Sequence, residues 1–303
     1  MRIVIAGGTG FIGSALTRRL VEEGHSVVLL SRNPDVPAPA IPPTARRVAW
    51  DAKSAGQWAA ELDGADAVIN LTGELIGRRR WSRSKKQKIF SSRVESTRAL
   101  VDAIGRTANR PGVLINASAV GIYGPVDEWE VPETHPPGKD FLAQVGIAWE
   151  AAARRGVEFG VRVVMLRTGI VLARGGGALA RMVLPFRLFI GGVLGAGRQW
   201  VPWVHREDLV GIILFLLARG DIAGPVNVVA PESVTMKEFS VALGKALRRP
   251  CWTRVPAFVV RLTLGEMSTI VLTGQRAVPA VLRQHGYSFR YTALSSALQQ
   301  IYG

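Results

Sequence analysis

The sequence predicts an α/β protein: a doubly wound, mostly parallel sheet with helices on both faces, followed by a small, mostly helical C-terminal lobe. Three observations predict it. Short apolar runs bounded by turn residues alternate with amphipathic helical stretches through the first two thirds of the chain. The first run, Ile3-Val4-Ile5-Ala6, leads directly into the glycine-rich segment Gly7-Gly8-Thr9-Gly10-Phe11-Ile12-Gly13 and then a helix. After Ala173 the alternation breaks, and from Met236 onward helical pattern dominates, with Pro250, Pro256 and Pro279 as punctuation.

The elements follow in order. After the first strand, a helix over Ser14–Glu23 is expected to end at Gly24, which suits the left-handed position past a helix end. Ser26–Leu30, Val48–Trp50 and Ala67–Leu71 read as buried strands. A long helix runs from about Ser84 to Ile104, then a strand at Val113–Ala117, a helix at about Phe141–Arg155 and a strand at Val161–Leu166. The five prolines between Pro34 and Thr44 make an extended surface loop. Further on, Gly175-Gly176-Gly177 and Gly191-Gly192 bracket an expected helix, and Asn227–Val229 looks like a returning strand. The domain reading is 1–230 for the sheet domain, with 170–205 partly contributing to a substrate lobe, and 231–303 for the small C-terminal domain.

Composition sets the class. The 303 residues are 48% hydrophobic and 20% charged, as in a folded globular protein large enough for a sizeable core. Met1-Arg2 runs straight into the first strand, so no secretory leader is read, and Leu209–Ala218 is too short to span a bilayer. A lone Cys251 excludes an internal disulfide and fits a reducing cytoplasm. No membrane partner is expected. The formal charge of +15 has one local concentration, Arg78-Arg79-Arg80-Trp81-Ser82-Arg83-Ser84-Lys85-Lys86-Gln87-Lys88. It reads as a nucleic-acid patch, a solvated basic face, or a positive field drawing in a polyanion. No recognised nucleic-acid module accompanies it, which weighs against the first.

The strand–glycine loop–helix junction suits a dinucleotide pyrophosphate, making the sheet Rossmann-type. Gly7 can take a positive φ, Gly10 lets backbone approach phosphate, and Gly13 lets helix lie close on strand. The helix N-terminus offers free N–H groups and a partial positive charge. Where NAD-binding proteins carry an acid after the second strand, this chain has Ser31-Arg32. A carboxylate would repel a 2′-phosphate, whereas Ser31 can hydrogen-bond it and Arg32 can pair with it, so the expected cofactor is NADP(H).

The glycine loop, Ser118 to Tyr123-Gly124, and Trp203-Val204-His205-Arg206-Glu207-Asp208 together resemble the extended short-chain dehydrogenase/reductase superfamily. Asn70-Leu71-Thr72-Gly73-Glu74, Arg80-Trp81, Ser92 to Thr97, Trp149-Glu150, Arg167 to Leu172, Gly175 to Ala178, Leu184-Pro185-Phe186, Gly265-Glu266 and Gly274 to Arg276 narrow the resemblance. They are similar to its atypical epimerase-family branch, an NAD-dependent epimerase/dehydratase group related to bacterial proteins sometimes labelled cell-division inhibitors. The resemblance implies a small-molecule substrate bound under the C-terminal lobe. It also implies that Leu71, Thr72 and Gly73 pass beside adenine and ribose. Arg93, where typical members have asparagine, becomes a phosphate or nicotinamide-side contact. Ser118 corresponds to the Ser/Thr that bonds a substrate carbonyl, and Arg167 and Ile170 complete the cofactor set.

One departure is large. The superfamily's reductases pair a tyrosine with a lysine four residues on, the lysine lowering the tyrosine pKa. None of Tyr123, Tyr287, Tyr291 and Tyr302 has such a lysine; alignment on Glu150 puts Leu142 at the tyrosine position and Gly146 at the lysine position. Ser118 and Tyr123 remain as catalytic candidates, with His205, Glu74 and Glu150 as further acid–base groups. The four histidines lie far apart, and no metal site is expected. Three readings stand: an NADP(H)-dependent oxidoreductase or epimerase with unusual acid–base residues, a catalytically idle NADP(H)-binding regulator, or, from the basic charge alone, a nucleic-acid-associated protein.

Overall fold

The computed structural model describes residues 1–54, 56–77 and 80–303, the side chains of Asp127 and Glu128 excepted. Seven parallel strands form one sheet: β1 (Arg2–Ala6), β2 (Ser26–Ser31), β3 (Arg46–Ala49), β4 (Ala67–Asn70), β5 (Val113–Ala119), β6 (Arg162–Thr168) and β7 (Gly224–Val228). Their spatial order is β3-β2-β1-β4-β5-β6-β7, so chain direction across the sheet reverses between β1 and β4. A ligand cleft is expected there, beyond the carboxyl ends of the strands.

The helices lie on both faces. α1 (Gly13–Glu22) and α5 (Arg206–Ala218) cover one face; α2 (Arg83–Arg106) and α3 (Phe141–Arg154) cover the other, and α4 (Leu179–Arg187) lies in the second lobe. Alternate residues of each strand divide between two cores. Ile3, Ile5, Leu29 and Ile69 pack with Leu16, Leu20, Ile212 and Leu216. Val4, Val28, Val68 and Leu114 pack with Leu100, Val101, Ile104 and the indoles of Trp50 and Trp58. A strand buried on both faces must be apolar at nearly every position, which is why β1, β2 and β4 read as continuous apolar runs.

The edges differ from expectation for the same reason. Among the described residues β3 pairs only with β2, and it runs over Arg46–Ala49 rather than 48–50. β7 pairs only with β6 and begins at Gly224-Pro225, three residues earlier than the apolar pattern suggested. Edge strands tolerate charge and proline, so apolar pattern marks them poorly.

The second lobe gathers a third core from separate stretches of chain. Leu172, Leu179, Val183 and Phe186 pack against Phe239 and Leu243 of α6 (Met236–Leu247), and against Leu298 and Ile301 of the C-terminal helix Leu294–Tyr302. Short strands that periodicity could not announce stitch the lobe: Thr253–Val255 pairs with Gly192–Leu194, and Gln275–Ala277 with Val126–Val131. Among the described residues no helix is long and apolar enough to cross a membrane.

Candidate functional site

The cleft begins where β1 gives out. Gly7 has φ +81°, and a Cβ there would lie 2.9 Å from the Leu71 carbonyl carbon. Only glycine fits, because the loops leaving β1 and β4 run side by side, joined by a hydrogen bond of 2.8 Å from Leu71 N–H to Ala6 O. The loop then turns back: Gly10 N–H donates to Gly7 O at 3.1 Å, and Ser14 N–H to Gly10 O at 2.9 Å. A Cβ on Gly13 would strike Gly7 O and come within 2.6 Å of Gly8 Cα, so α1 starts directly on the loop.

Among the described residues no side chain caps α1. Ile12 holds the cap position without a side-chain hydrogen bond, and the first turn carries no acid. Apart from Ser14 N–H, which Gly10 O takes, its first-turn N–H groups and positive dipole end are left for an anion at the rim, where Thr9 and Gly10 are exposed. Two arginines strengthen that field. The Arg206 guanidinium lies 5.0 Å from the Phe11 ring centroid, and burial and then the nearby Arg18 charge lower its pKa. Phe11 is also clasped from beyond: a Cβ on Gly176 would strike its ring, falling 2.6 Å from Cε2. Sequence reasoning missed Arg18 and Arg206; their only signal was the Arg206 place beside His205.

At the end of β2, the Ser31 backbone carbonyl accepts from Trp50 N–H (2.9 Å), and its hydroxyl accepts from Asn33 N–H (3.3 Å). Arg32 is exposed and makes no hydrogen bond or ion pair among the described residues. At the end of β4, Thr72 donates its hydroxyl to Asn70 Oδ1 at 2.6 Å, and a Cβ on Gly73 would meet the Arg93 guanidinium at 3.2 Å. Arg93 is held by carbonyls rather than a carboxylate: Nη1 donates to Ile89 O (3.0 Å) and Nη2 to Glu74 O (3.2 Å), with the guanidinium 5.2 Å from the Trp149 ring centroid. Burial pulls its pKa down to about 10, with Glu74 opposing. It remains a cation at neutral pH. Asn70 Nδ2 donates to Asn116 Oδ1 (2.7 Å) and Thr97 Oγ1 (2.9 Å), and Trp149 Nε1 to the same hydroxyl (2.9 Å), fixing β4, β5, α2 and α3 to one another.

The two catalytic candidates lie in a buried network under the ends of β5, β6 and β7. Ser118 donates its hydroxyl to Glu150 Oε1 at 2.8 Å. Arg167 grips the same carboxylate with Nε (2.8 Å) and Nη2 (2.9 Å), while its Nη1 donates to the Tyr123 oxygen and to Glu133 O, both at 2.9 Å. Tyr123 in turn donates to Asn227 Oδ1 at 2.7 Å. Burial works against the Arg167 charge, but the hydrogen bonds and charge of Glu150 outweigh it and hold the guanidinium above its ordinary range. Burial pushes the Tyr123 phenol up to about 12, with Arg167 opposing. A tyrosine so placed is a poor proton donor at neutral pH.

The missing tyrosine–lysine pair has a packing reason. Leu142 rests against Gly121, and a Cβ on Gly146 would lie 2.9 Å from Ile122 Cβ. α3 is docked so tightly on the turn after β5 that no lysine side chain can leave position 146. Ile170 pairs in a short parallel ladder with Trp203, its N–H on Pro202 O at 2.7 Å. His205 caps α5: Nδ1 accepts the Glu207 N–H at 3.3 Å, Nε2 lies 3.0 Å from Gln300 Oε1, and the ring stacks 4.0 Å from that of Tyr291. With Nδ1 accepting, Nε2 carries the hydrogen of a neutral ring, and burial lowers the pKa. Glu74 pairs with Lys85 at 2.5 Å. Of the basic run, Arg78 and Arg79 lie outside the described residues. Among the described residues no group of three or more His, Cys, Asp or Glu could hold a metal ion.

The model of the NAD dependent epimerase/dehydratase family matches residues 3–229, and that of a domain of unknown function matches 255–301. The chain belongs to the NAD-dependent epimerase/dehydratase family. Family members run from bacteria to mammals. Epimerase family protein SDR39U1 of Mus musculus is 41% identical, covering 99% of each chain. An epimerase family protein of Staphylococcus haemolyticus is 39% identical over 99% of this chain and 98% of its own. Among solved structures, human epimerase family protein SDR39U1 (isoform 2), crystallised with NADPH, superposes with a TM-score of 0.88 at 37% identity, covering 100% of this chain and 99% of that one. The family resemblance and the Rossmann-type sheet expected from the sequence are both borne out.

Proposed function

We propose that this chain holds NADP(H) in the cleft between the ends of β1, β2 and β4, and acts as an oxidoreductase or epimerase on a small carbonyl or sugar-type substrate without a tyrosine–lysine pair. The observation that carries the reading is the glycine cradle, in which a Cβ on Gly7 or Gly13 would strike backbone while α1 presents uncapped N–H groups to the rim. Gly7, Thr9, Gly10, Phe11, Ile12 and Gly13 would hold the pyrophosphate, Ser31 and Arg32 the 2′-phosphate, and Leu71, Thr72 and Gly73 the adenosine half. NADP(H), when bound, supplies a hydride donor or acceptor. The crystallisation of the human relative with NADPH supports the choice of cofactor. Residues 1–230 are the cofactor-binding domain in this reading and 231–303 the small lobe, with 170–205 shared.

Arg93 is the cation we assign to the reacting end, where it can meet cofactor phosphate or negative charge developing on a substrate oxygen. Ile170 lines the same end. We read Ser118, Tyr123 and Arg167 as bracing the floor beneath it, because their polar atoms already serve one another. A second reading, an NADP(H)-binding protein without turnover, is favoured by the same bracing and by the closed position 146. Single-turnover stopped-flow oxidation of bound NADPH against a panel of aldehydes, ketones and sugar nucleotides tests the proposal. Oxidation with any one of them supports it, and loss of that signal in Arg93→Met assigns the cation. NADPH binding with no oxidation by any member refutes turnover and leaves the second reading.

A further inference from the structure

The basic run that the cofactor reading leaves unexplained builds a separate pocket. Its described part starts α2, whose first turn carries Arg83, Lys85 and Lys86 and no acid, the reverse of what a helix N-terminus prefers. Against this turn opens a cavity of about 390 Å³ lined by Trp81, Arg83, Lys86, Phe90, Phe141 and Glu266. That falls within the usual range for small-molecule pockets, roughly 300–1,000 Å³.

Its walls are fixed and of two kinds. Trp81 is anchored by an indole hydrogen bond of 3.0 Å to Ile76 O and meets Phe141 edge-on, ring centroids 5.2 Å apart. Lys86 lies 4.8 Å from the Phe141 centroid and 2.6 Å from Glu266 of the C-terminal lobe. Arg83 is exposed and makes no ion pair among the described residues. The two cations therefore face one carboxylate, leaving a positive balance beside three aromatic rings. Phe90 also packs beside Val94 and Trp149, the ring on which Arg93 rests, so the pocket adjoins the reacting end of the cleft. The lobes close on it together, since a Cβ on Gly265, next to Glu266, would lie 3.0 Å from the Arg80 guanidinium.

We propose that this pocket is the substrate subsite and that the carbonyl compound it takes is small, planar and aromatic and bears a carboxylate, its ring beside Trp81, Phe90 and Phe141 and its charge on Arg83. The assignment rests on the reading that the adjoining cleft holds NADP(H). A neutral aromatic would forgo the Arg83 pairing, and an aliphatic acid would forgo ring contact with Trp81 and Phe90. Charge-assisted pairing with a guanidinium supplies the orientation.

The test is calorimetric titration of 2-naphthoate, 2-naphthol and cyclohexanecarboxylate into the full chain, with and without NADPH. Saturable one-to-one binding of 2-naphthoate, at least tenfold tighter than either analogue, is expected. Arg83→Gln and Trp81→Ala should each weaken it at least tenfold while leaving NADPH affinity unchanged, which also shows the variants are folded. Equal binding of 2-naphthol, or no change in Arg83→Gln, overturns the proposal. NADPH affinity is read in the same samples. Loss of naphthoate with NADPH retained refutes the pocket alone, and naphthoate bound by protein that takes no NADPH refutes the cofactor reading alone.

Discussion

Replacing Glu150 with glutamine tests whether the floor of the cleft is held by charge. The Glu150 side chain is almost fully enclosed, and its two oxygens accept four hydrogen bonds: from Ser118 and Arg167 Nε at 2.8 Å each, from Arg167 Nη2 at 2.9 Å, and from Arg154 at 3.2 Å. Glutamine keeps the shape but points an amide donor at a guanidinium donor. Ser118 can rotate its hydroxyl; Arg167 cannot turn away, because Tyr123 and Glu133 hold its other end. Breaking a buried pair by neutralising one partner costs about 3–5 kcal/mol. Unfolding entropy of about 2.1 cal/mol/K per residue over 303 residues gives about 0.64 kcal/mol/K, so the midpoint should fall by about 5–8 °C. Differential scanning fluorimetry at neutral pH reads this directly. Ser118→Ala, which deletes one hydrogen bond of about 1 kcal/mol, should lower the midpoint by only about 2 °C. A Glu150→Gln shift no larger than that of Ser118→Ala would refute the view that the ion pair organises this floor.

Three further outcomes follow from the geometry. Gly13→Ala should weaken NADPH binding at least about tenfold by calorimetry, because the new methyl meets backbone that cannot move aside. Gly146→Lys, which restores the superfamily's lysine in sequence, should destabilise the fold by about 1–3 kcal/mol in urea titration and add no reductase activity, since its Cβ meets Ile122. Burial depresses the His205 pKa, so the folded state binds fewer protons than the unfolded one. Stability is then intact above the ordinary value of 6.5 and declines as pH falls below it. His205→Asn, which keeps a cap acceptor without a titrating ring, should flatten that decline between pH 6.5 and 5 in urea melts.

Much of the fold was legible because parallel strands buried on both faces must be apolar throughout, and because the glycine loop lies within a continuous stretch of thirteen residues. What could not be read joins residues far apart in the chain. Tyr123 meets Asn227 across 104 positions, and Ser118 meets Glu150 across 32. As single letters Ser118 and Tyr123 look like reactive groups; only the fold shows them answering Glu150 and Asn227. The absence of a lysine at Gly146 was visible, but its cause, the approach of Ile122, needed three dimensions. Arg206 was passed over because the pattern drew attention to His205 beside it, whereas it is Arg206 that reaches Phe11 of the glycine loop.

The central claim is that the glycine cradle and the Ser31-Arg32 pair select NADP(H). Calorimetric titration of the purified chain with NADPH and NADH, repeated with Arg32→Ala, tests it most directly. NADPH should bind at least tenfold tighter than NADH, with most of that preference lost in Arg32→Ala and NADH affinity barely changed. Equal or tighter binding of NADH by the unaltered chain would contradict it.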